Sequence, residues 1–297
     1  MNGEAPVALV LGAGGLVGGA LCDQLGRAGW RVVAASRAVC DIRDGGALRA
    51  LCADARPAVV FNAAAYTNVD GAEANPGLAR AVNADGAEAV ALAAAGAGAA
   101  VVHYSTDFVF DGEQERPYDE RDPPSPLGAY ARSKAEGDAR VAAATPRHFI
   151  LRVGCVYGRG GRNFPSTLVR RLRAGDALRV DAERRVSPTW VREVAAVSIA
   201  LAPTSHYGLY HCTAHGETTW ADFARALARE LGLPHARIEP VSDANLGLAA
   251  RRPRRAVLDK RMLRLRGLDG LLSPWEQALR AYVAEETGDG SGREQAG

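Results

Sequence analysis

Tyr130 and Lys134, in the stretch AYARSK, are four residues apart, so on a helix they share one face and can act on one site. A phenol of ordinary pKa, about 10, is a poor proton donor or acceptor near neutrality unless a nearby cation lowers that value. Lys134 can supply the cation. A tyrosine and a lysine on a solvated helix turn would show the same spacing, but composition favours chemistry. Of the 36 basic residues only two are lysines, Lys134 and Lys260. In a chain that otherwise uses arginine, a lysine here suggests that a compact ammonium is needed instead of a planar fork. A second stretch, HYSTDFVFDG at 103–112, ends an apolar run with Ser105, Thr106 and Asp107. Its plain reading is a strand running out into a capped turn.

A third motif, VLGAGGLVGGAL, places Gly12, Gly15 and Gly18 between an apolar strand and a helix. Gly12 permits the tight turn, Gly15 lets backbone approach a pyrophosphate, and Gly18 lets the helix pack closely on the strand. The helix N-terminus adds N–H donors and the positive end of a dipole. At the end of the next strand an NAD site commonly offers a carboxylate to the ribose 2′-hydroxyl, whereas a 2′-phosphate needs a cation. This chain offers Ser36 and Arg37, and its next acid, Asp41, is better placed for the adenine edge. NADPH is the expected cofactor, with NADH left open.

These residues need a scaffold, and the chain alternates strand and helix. Apolar runs at 7–12, 31–36, 58–64, 99–106 and 148–158 read as buried strands, with alanine-rich helical stretches between them. That order implies right-handed βαβ crossovers and ligands at the strands' carboxyl ends. The expected fold is α/β: a Rossmann-type doubly wound parallel sheet with a smaller C-terminal substrate-binding lobe. Residues 1–158 would bind the cofactor and carry the catalytic groups. Residues 159–287 would form a mixed α/β lobe whose chain could cross back to the sheet, and 288–297 a disordered tail.

The bulk composition, 47% hydrophobic and 24% charged over 297 residues, is that of an ordinary soluble protein with a full core. No apolar run approaches the ~20 residues of a membrane helix, and no basic region precedes VALVLG, as a signal peptide would require. A cytoplasmic protein with no membrane partner is expected. Five scattered cysteines without a CxxC pair argue for free thiols and against a metal site. The basic run RRPRRAVLDKRMLRLRG, 251–267, lacks the interleaved aromatics of a single-strand binder, so no nucleic-acid partner is expected. It reads as a solvated face or a lid over a diphosphate, with Arg254 and Arg255 as its test positions.

Taken in order, GxxGxxG, NAAAYTNVD, STDFVFDG and YARSK resemble the extended short-chain dehydrogenase/reductases. More narrowly the chain resembles the dTDP-4-dehydrorhamnose reductases from about Val7 to Asp259, through RVGCVYGRGGRNF, SPTW and GLYHCTAHGETTWADFARA. The resemblance implies hydride transfer from a nicotinamide to the C4 ketone of a nucleotide-linked 4-keto-6-deoxyhexose, most simply dTDP-4-dehydro-L-rhamnose. It assigns Tyr130 to protonate the alkoxide, Lys134 to hold the nicotinamide ribose and Thr106 to hydrogen-bond the carbonyl. The residues agree, since Thr106 ends a strand where its hydroxyl can stabilise an oxyanion. It places Gly15, Leu16 and Val17 under the pyrophosphate, and Ser36, Arg37, Asp41 and Ile42 around the adenosine. Ala63, Ala64, Ala65, Tyr66, Thr67 and Tyr104 would line the cofactor cleft. Asp107, Phe108, Cys155 and Asn163 would meet the substrate. Asn83 falls where relatives keep a structural or proton-relay asparagine, and a polar group at a helix kink is an equal reading.

Two departures stand out. The familiar reductases read RTSWVYG where this chain reads RVGCVYG, and losing an indole removes up to ~150–250 Å² of contact. A roomier pocket, or one for another dTDP-deoxysugar, follows; the Cys155 thiol itself reads as a small buried hydrophobe. Some relatives hold magnesium through glutamates at a dimer interface, one just after the glycine motif, where this chain has Ala20. No such ion is expected, and a homodimer is left open. Among rival activities, a sugar 4,6-dehydratase would carry glutamate where Phe108 stands. A 4-epimerase also reads differently at this strand end. A related regulatory subunit of methionine adenosyltransferase binds NADP(H) on this fold, but intact Thr106, Tyr130 and Lys134 favour an enzyme.

Overall fold

The structure is a computed structural model that describes residues 5–160 and 163–288. The valine-rich runs become parallel strands β1 (Val7–Leu11), β2 (Arg31–Ala35), β3 (Val59–Asn62), β4 (Ala100–Thr106) and β5 (His148–Val153). Later strands are β6 (Val156–Tyr157), β7 (Leu178–Asp181), β8 (Thr189–Trp190), β9 (Gly208–Cys212) and β10 (Ile238–Val241). Between the early strands run α1 (Leu16–Arg27), α2 (Gly45–Ala55), α3 (Val69–Ala74), α4 (Pro76–Arg80), α5 (Gly86–Gly96) and α6 (Ala129–Ala144). The later helices are α7 (Phe164–Arg173), α8 (Val191–Leu201), α9 (Trp220–Glu230), α10 (Arg261–Leu265) and α11 (Trp275–Gly288).

Among the described residues the main sheet is six-stranded and parallel, in the order β2-β1-β3-β4-β5-β9. The order reverses between β1 and β3, and their carboxyl ends open a crevice there. The glycine turn after β1 therefore faces the Ala63–Tyr66 segment after β3. Helices cover both faces. Leu21 and Leu25 of α1 share a core with Val194, Val197 and Leu201 of α8. On the other face, Leu48, Val90, Ala91 and Val141 belong to α2, α5 and α6. With both faces covered, β4 is buried along its whole length, which is why it reads as a continuous apolar run.

Residues beyond 158 do not all belong to the smaller lobe. Helix α8 packs on α1, and β9 pairs with β5 from Phe149↔Gly208 to Val153↔Cys212, closing an edge that would otherwise be bare. Leu263 of α10 and Leu272 join the core shared by α1 and α8, and Leu258 packs with Phe110 and Tyr118, while α7, β7, α9 and α11 gather around Tyr157, Phe223, Trp275 and Tyr282. Gly288 ends α11, and the rest of the expected tail lies outside the described residues. Among the described residues no helix is long and apolar enough to cross a membrane.

Two local devices place the catalytic helix. Gly128, the N-cap of α6, has no side chain to offer, and the Ala129 N–H instead donates to Glu73 Oε1 at 2.7 Å. Ahead of α5 the chain widens into a π-turn, Ala81–Asp85, with Asn83 buried in it. Asn83 accepts from Tyr66 N (2.8 Å), and its Nδ2 donates to Tyr66 O (3.0 Å) and Ser133 Oγ (3.0 Å). It is the polar group of a helix irregularity, tying the loop after β3 to α6.

Candidate active site

Strand β4 delivers Thr106 to the mouth of the sheet, where its Oγ1 accepts from Phe108 N (3.2 Å) and donates to Asp107 Oδ1 (3.0 Å). The turn that follows is thus capped by the residue expected to meet the carbonyl. From α6, Tyr130 brings its hydroxyl near enough to Thr106 for that side chain to act on it, and its ring meets Phe108 edge-on at 6.3 Å. Thr106, Tyr130 and Phe108 therefore converge.

Lys134 lies one turn along α6, buried, its Nζ donating to the carbonyl of Tyr104. This corrects one expectation. The Tyr130 phenol is not brought down: burial pushes it up to about 12, the Asp107 and Asp138 charges add to that, and only the Thr106 side chain opposes it. Burial also lowers Lys134 to about 8, against the support of the Asp138 charge. Asp107 is buried as well, which raises its carboxyl to about 7 despite the hydrogen bond from Thr106.

The first cavity, about 380 Å³, brings together Gly12, Gly15, Ser36, Arg37, Asp41, Ile42, Ala63, Ala64, Ala65 and Tyr66. Leu78 and Val82 add an apolar wall that sequence reasoning missed; a half-exposed leucine in ANPGLAR was its only signal. Gly12 has φ 74°, and a Cβ there would lie 2.6 Å from Ala64 N, so the two loops touch only because this residue is glycine. At Gly18 a Cβ would stand 2.3 Å from Gly12 O, giving it the packing role anticipated. Leu16 borders the adjoining depression, whereas Val17 packs on the core.

Thr67 is exposed and outside the cavity. Tyr104 also differs from expectation: its ring is buried in the core and its hydroxyl donates to Ser198 Oγ at 2.8 Å, so it reaches the site only through its carbonyl. Asp41 is held well below the usual carboxylate range by Arg43, which chelates it at 2.6–3.2 Å, with Arg37 at 3.5 Å. Its charge is already matched by Arg43, and of the two arginines Arg37 is the one that lines the cavity with Ser36.

A second cavity, about 390 Å³, is walled by Phe108, Cys155, Phe164, Trp220, Arg184 and Arg252, with aliphatic side chains between them. Phe164 and Trp220 meet edge to face at 4.6 Å. Aromatic surface is thus present although position 155 supplies none. Cys155 takes a left-handed backbone, φ 49°, and burial, then the Asp107 charge, pushes its thiol up, so it is a poor nucleophile.

Of the arginine run, Arg252 reaches this cavity, held by Asp70 at 2.8 and 3.1 Å. Arg255 is committed to Glu217 (2.8 Å), and neither it nor the exposed Arg254 lines this cavity. The expectation for Asn163 is corrected. It caps α7, accepting from Ser166 N (2.9 Å) and donating to Gly158 O (2.9 Å), and the next residue, Phe164, is the one in the cavity. Asn163→Ala should therefore lower stability by about 1 kcal/mol in denaturant melts while leaving substrate KM nearly unchanged. A large KM increase without destabilisation would return Asn163 to the site.

The family model described as "RmlD substrate binding domain" matches residues 7–287. A dTDP-4-dehydrorhamnose reductase of Streptomyces griseus is 39% identical over 277 residues, covering 91% of each chain. A probable dTDP-4,6-dihydroxy-2-methyloxan-3-one 4-ketoreductase of Streptomyces antibioticus is 37% identical, over 92% of each. Among solved structures, the dTDP-4-dehydrorhamnose reductase of Bacillus anthracis in complex with NADP superposes with a TM-score of 0.92 at 32% identity. It covers 95% of this chain and 100% of that one.

Proposed function

The chain belongs to the RmlD substrate-binding-domain family, and on that premise we propose that it is an NADPH-dependent reductase of a nucleotide-linked 4-keto-6-deoxyhexose. The simplest substrate is dTDP-4-dehydro-L-rhamnose, giving dTDP-L-rhamnose. One observation carries the reading: the Thr106 and Tyr130 hydroxyls meet at the carboxyl end of β4, with Phe108 beside them in the wall of the second cavity.

The first cavity fits the cofactor. Gly12 leaves a cradle that a Cβ would fill, and α1 starts at Gly15 without a side-chain cap, so its first N–H groups remain for a pyrophosphate. Arg37, in the cavity wall beside Ser36, is a cation suited to a 2′-phosphate. When bound, NADPH supplies the hydride for C4. Tyr130, held protonated, gives its proton to the oxygen as that becomes an alkoxide, and Thr106 hydrogen-bonds the same oxygen. Lys134 offers its ammonium to the ribose hydroxyls. Phe108 brings no carboxylate to strip a proton from C5, so dehydration is not supported.

For the substrate, Phe164 and Trp220 offer flat surface to a base, and Arg252 a cation to the diphosphate. Cys155, a thiol of modest volume at the cavity wall, favours a second reading as a 4-ketoreductase for a different dTDP-deoxysugar. NADPH oxidation with a panel of nucleotide 4-keto sugars tests both. Turnover is expected, and the preferred sugar separates the readings. Tight NADPH binding with no turnover on any of them would instead support a regulatory role. Arg252→Ala is expected to raise substrate KM about tenfold, within the 1.5–3 kcal/mol of a charge-assisted contact, with kcat nearly kept. An unchanged KM would remove Arg252 from the diphosphate.

A further inference from the structure

Behind Lys134, on the side away from the cavities, lies a buried polar cluster that ketone reduction as described above does not use. Asp138 follows Lys134 by one helical turn on the same face of α6 and is buried at 6% exposure. Its Oδ2 accepts from Arg152 Nε of β5 at 3.2 Å, and its Oδ1 lies 3.9 Å from His103 Nε2 of β4. His103 is held in turn by Asn62 Nδ2 at 3.2 Å. The buried Ser105 hydroxyl, two residues on along β4, lies nearby without a hydrogen-bond partner. Five polar side chains thus occupy the interior of a parallel sheet whose neighbouring positions are apolar. Buried groups of this kind usually lower stability relative to apolar ones, so their placement behind a buried lysine calls for another reason.

The charges around the lysine supply one. From β4 it faces His103, whose pKa is held well below its ordinary value by burial and by the Lys134 charge, so the imidazole is neutral. From α6 it faces Asp138, whose charge is what opposes the burial of its own ammonium. Burial raises the Asp138 carboxyl overall, and the Arg152 charge is the first of the influences that oppose it, with the Lys134 charge among the rest. Arg152 itself rests over the Phe110 ring at 5.1 Å, next to a His211 lowered by burial to about 3 and therefore neutral. Among the described residues Asp138 is the carboxylate that pairs with Arg152 and whose charge acts on Lys134.

We propose that Asp138, paired with Arg152 and one helical turn from Lys134 on the same face, is a positioning residue that holds Lys134 protonated and so sets the upper pH limit of turnover. It never touches substrate or cofactor; it acts through the lysine. Lys134 is ordinarily the cation that binds the ribose only below about pH 8. Without the carboxylate it would lose its proton about one unit lower, at the low end of the effect of an opposite charge nearby.

The two-lysine composition makes this directly measurable. In protein labelled with ¹³C-lysine, the side-chain signals are those of Lys134 and Lys260, and Lys134→Met assigns them by loss of one. In Asp138→Asn the Lys134 signal should titrate about one pH unit lower, a tenfold weaker hold on the proton. The basic limb of kcat/KM should move with it, leaving activity near pH 6 largely intact. Asp138→Glu should restore the wild-type profile. A merely structural role would lower activity equally at every pH. Should Asp138→Asn fail to fold, Asp138→Ala removes the carboxylate without adding an amide that needs partners, and should give a shift of the same sign. No shift in whichever of these variants folds overturns the proposal. The consequence for turnover rests on the reductase reading, but the titration does not. A shifted lysine in a protein that reduces no ketone would leave the coupling standing and remove that reading.

Discussion

Tyr130→Phe is expected to lower kcat by about 10²–10⁴-fold, the usual worth of a positioned general acid, while NADPH binds nearly as well as to the wild type. The substitution removes one oxygen and keeps the ring that meets Phe108 edge-on at 6.3 Å, so the cavity wall survives. The lost group is the one held protonated to about pH 12 by burial and by the Asp107 and Asp138 charges. That state suits reduction, in which an alkoxide more basic than a phenolate must receive a proton. A phenol lowered toward neutrality would be the stronger acid, but much of it would be ionised at working pH, leaving less donor for reduction and more phenolate to act as base in the reverse reaction. The same values order the pH dependence. In the free enzyme, which kcat/KM reports, Lys134 loses its charge above about pH 8, well before Tyr130 ionises. Activity should therefore fall as pH rises past about 8, and the residual activity of Tyr130→Phe should fall over the same range. Wild-type turnover in this variant would remove Tyr130 as the donor.

The parts of this site visible in the sequence are those whose geometry is local. Gly12 and Gly18 act within one strand–turn–helix unit, Tyr130 and Lys134 within one helix, and Thr106 at one strand end, so spacing alone fixes their relations. Valine-rich strands covered on both faces announce themselves as unbroken apolar runs. What stayed hidden depends on distant segments meeting. Phe164, Trp220 and Arg252 come from α7, α9 and the loop before α10, and nothing near any of them in sequence marks the shared cavity. Asn163 shows the converse, because an asparagine ahead of a helix start satisfies either a cap or a ligand, and here the cap takes it. The sign of the Tyr130 shift was out of reach for a related reason. Spacing puts Lys134 on the same face, but only the fold turns its ammonium to the Tyr104 carbonyl and buries the phenol.

Lys134→Met separates what the lysine does for the reaction from what it does for the fold. Turnover should fall at least about 100-fold and NADPH should bind more weakly, since a charge-assisted hydrogen bond to the ribose contributes about 1.5–3 kcal/mol and cannot be made by a thioether. Stability should move the other way or stay level. Lys134 is 2% exposed, its Nζ donates to one backbone carbonyl and the Asp138 charge only partly offsets its burial, so the fold bears most of the desolvation of an ammonium. Methionine fills a similar volume without that penalty. Asp138 would not be stranded, because Arg152 still pairs with it at 3.2 Å. The expected melting temperature is therefore equal to or above that of the wild type in a protein that hardly turns over, the trade-off of a residue kept for chemistry. The outcome that opposes this is a variant that melts several degrees lower yet keeps its NADPH affinity. It would mean that the ammonium supports the junction of α6 and β4, and that the ribose is held by other groups.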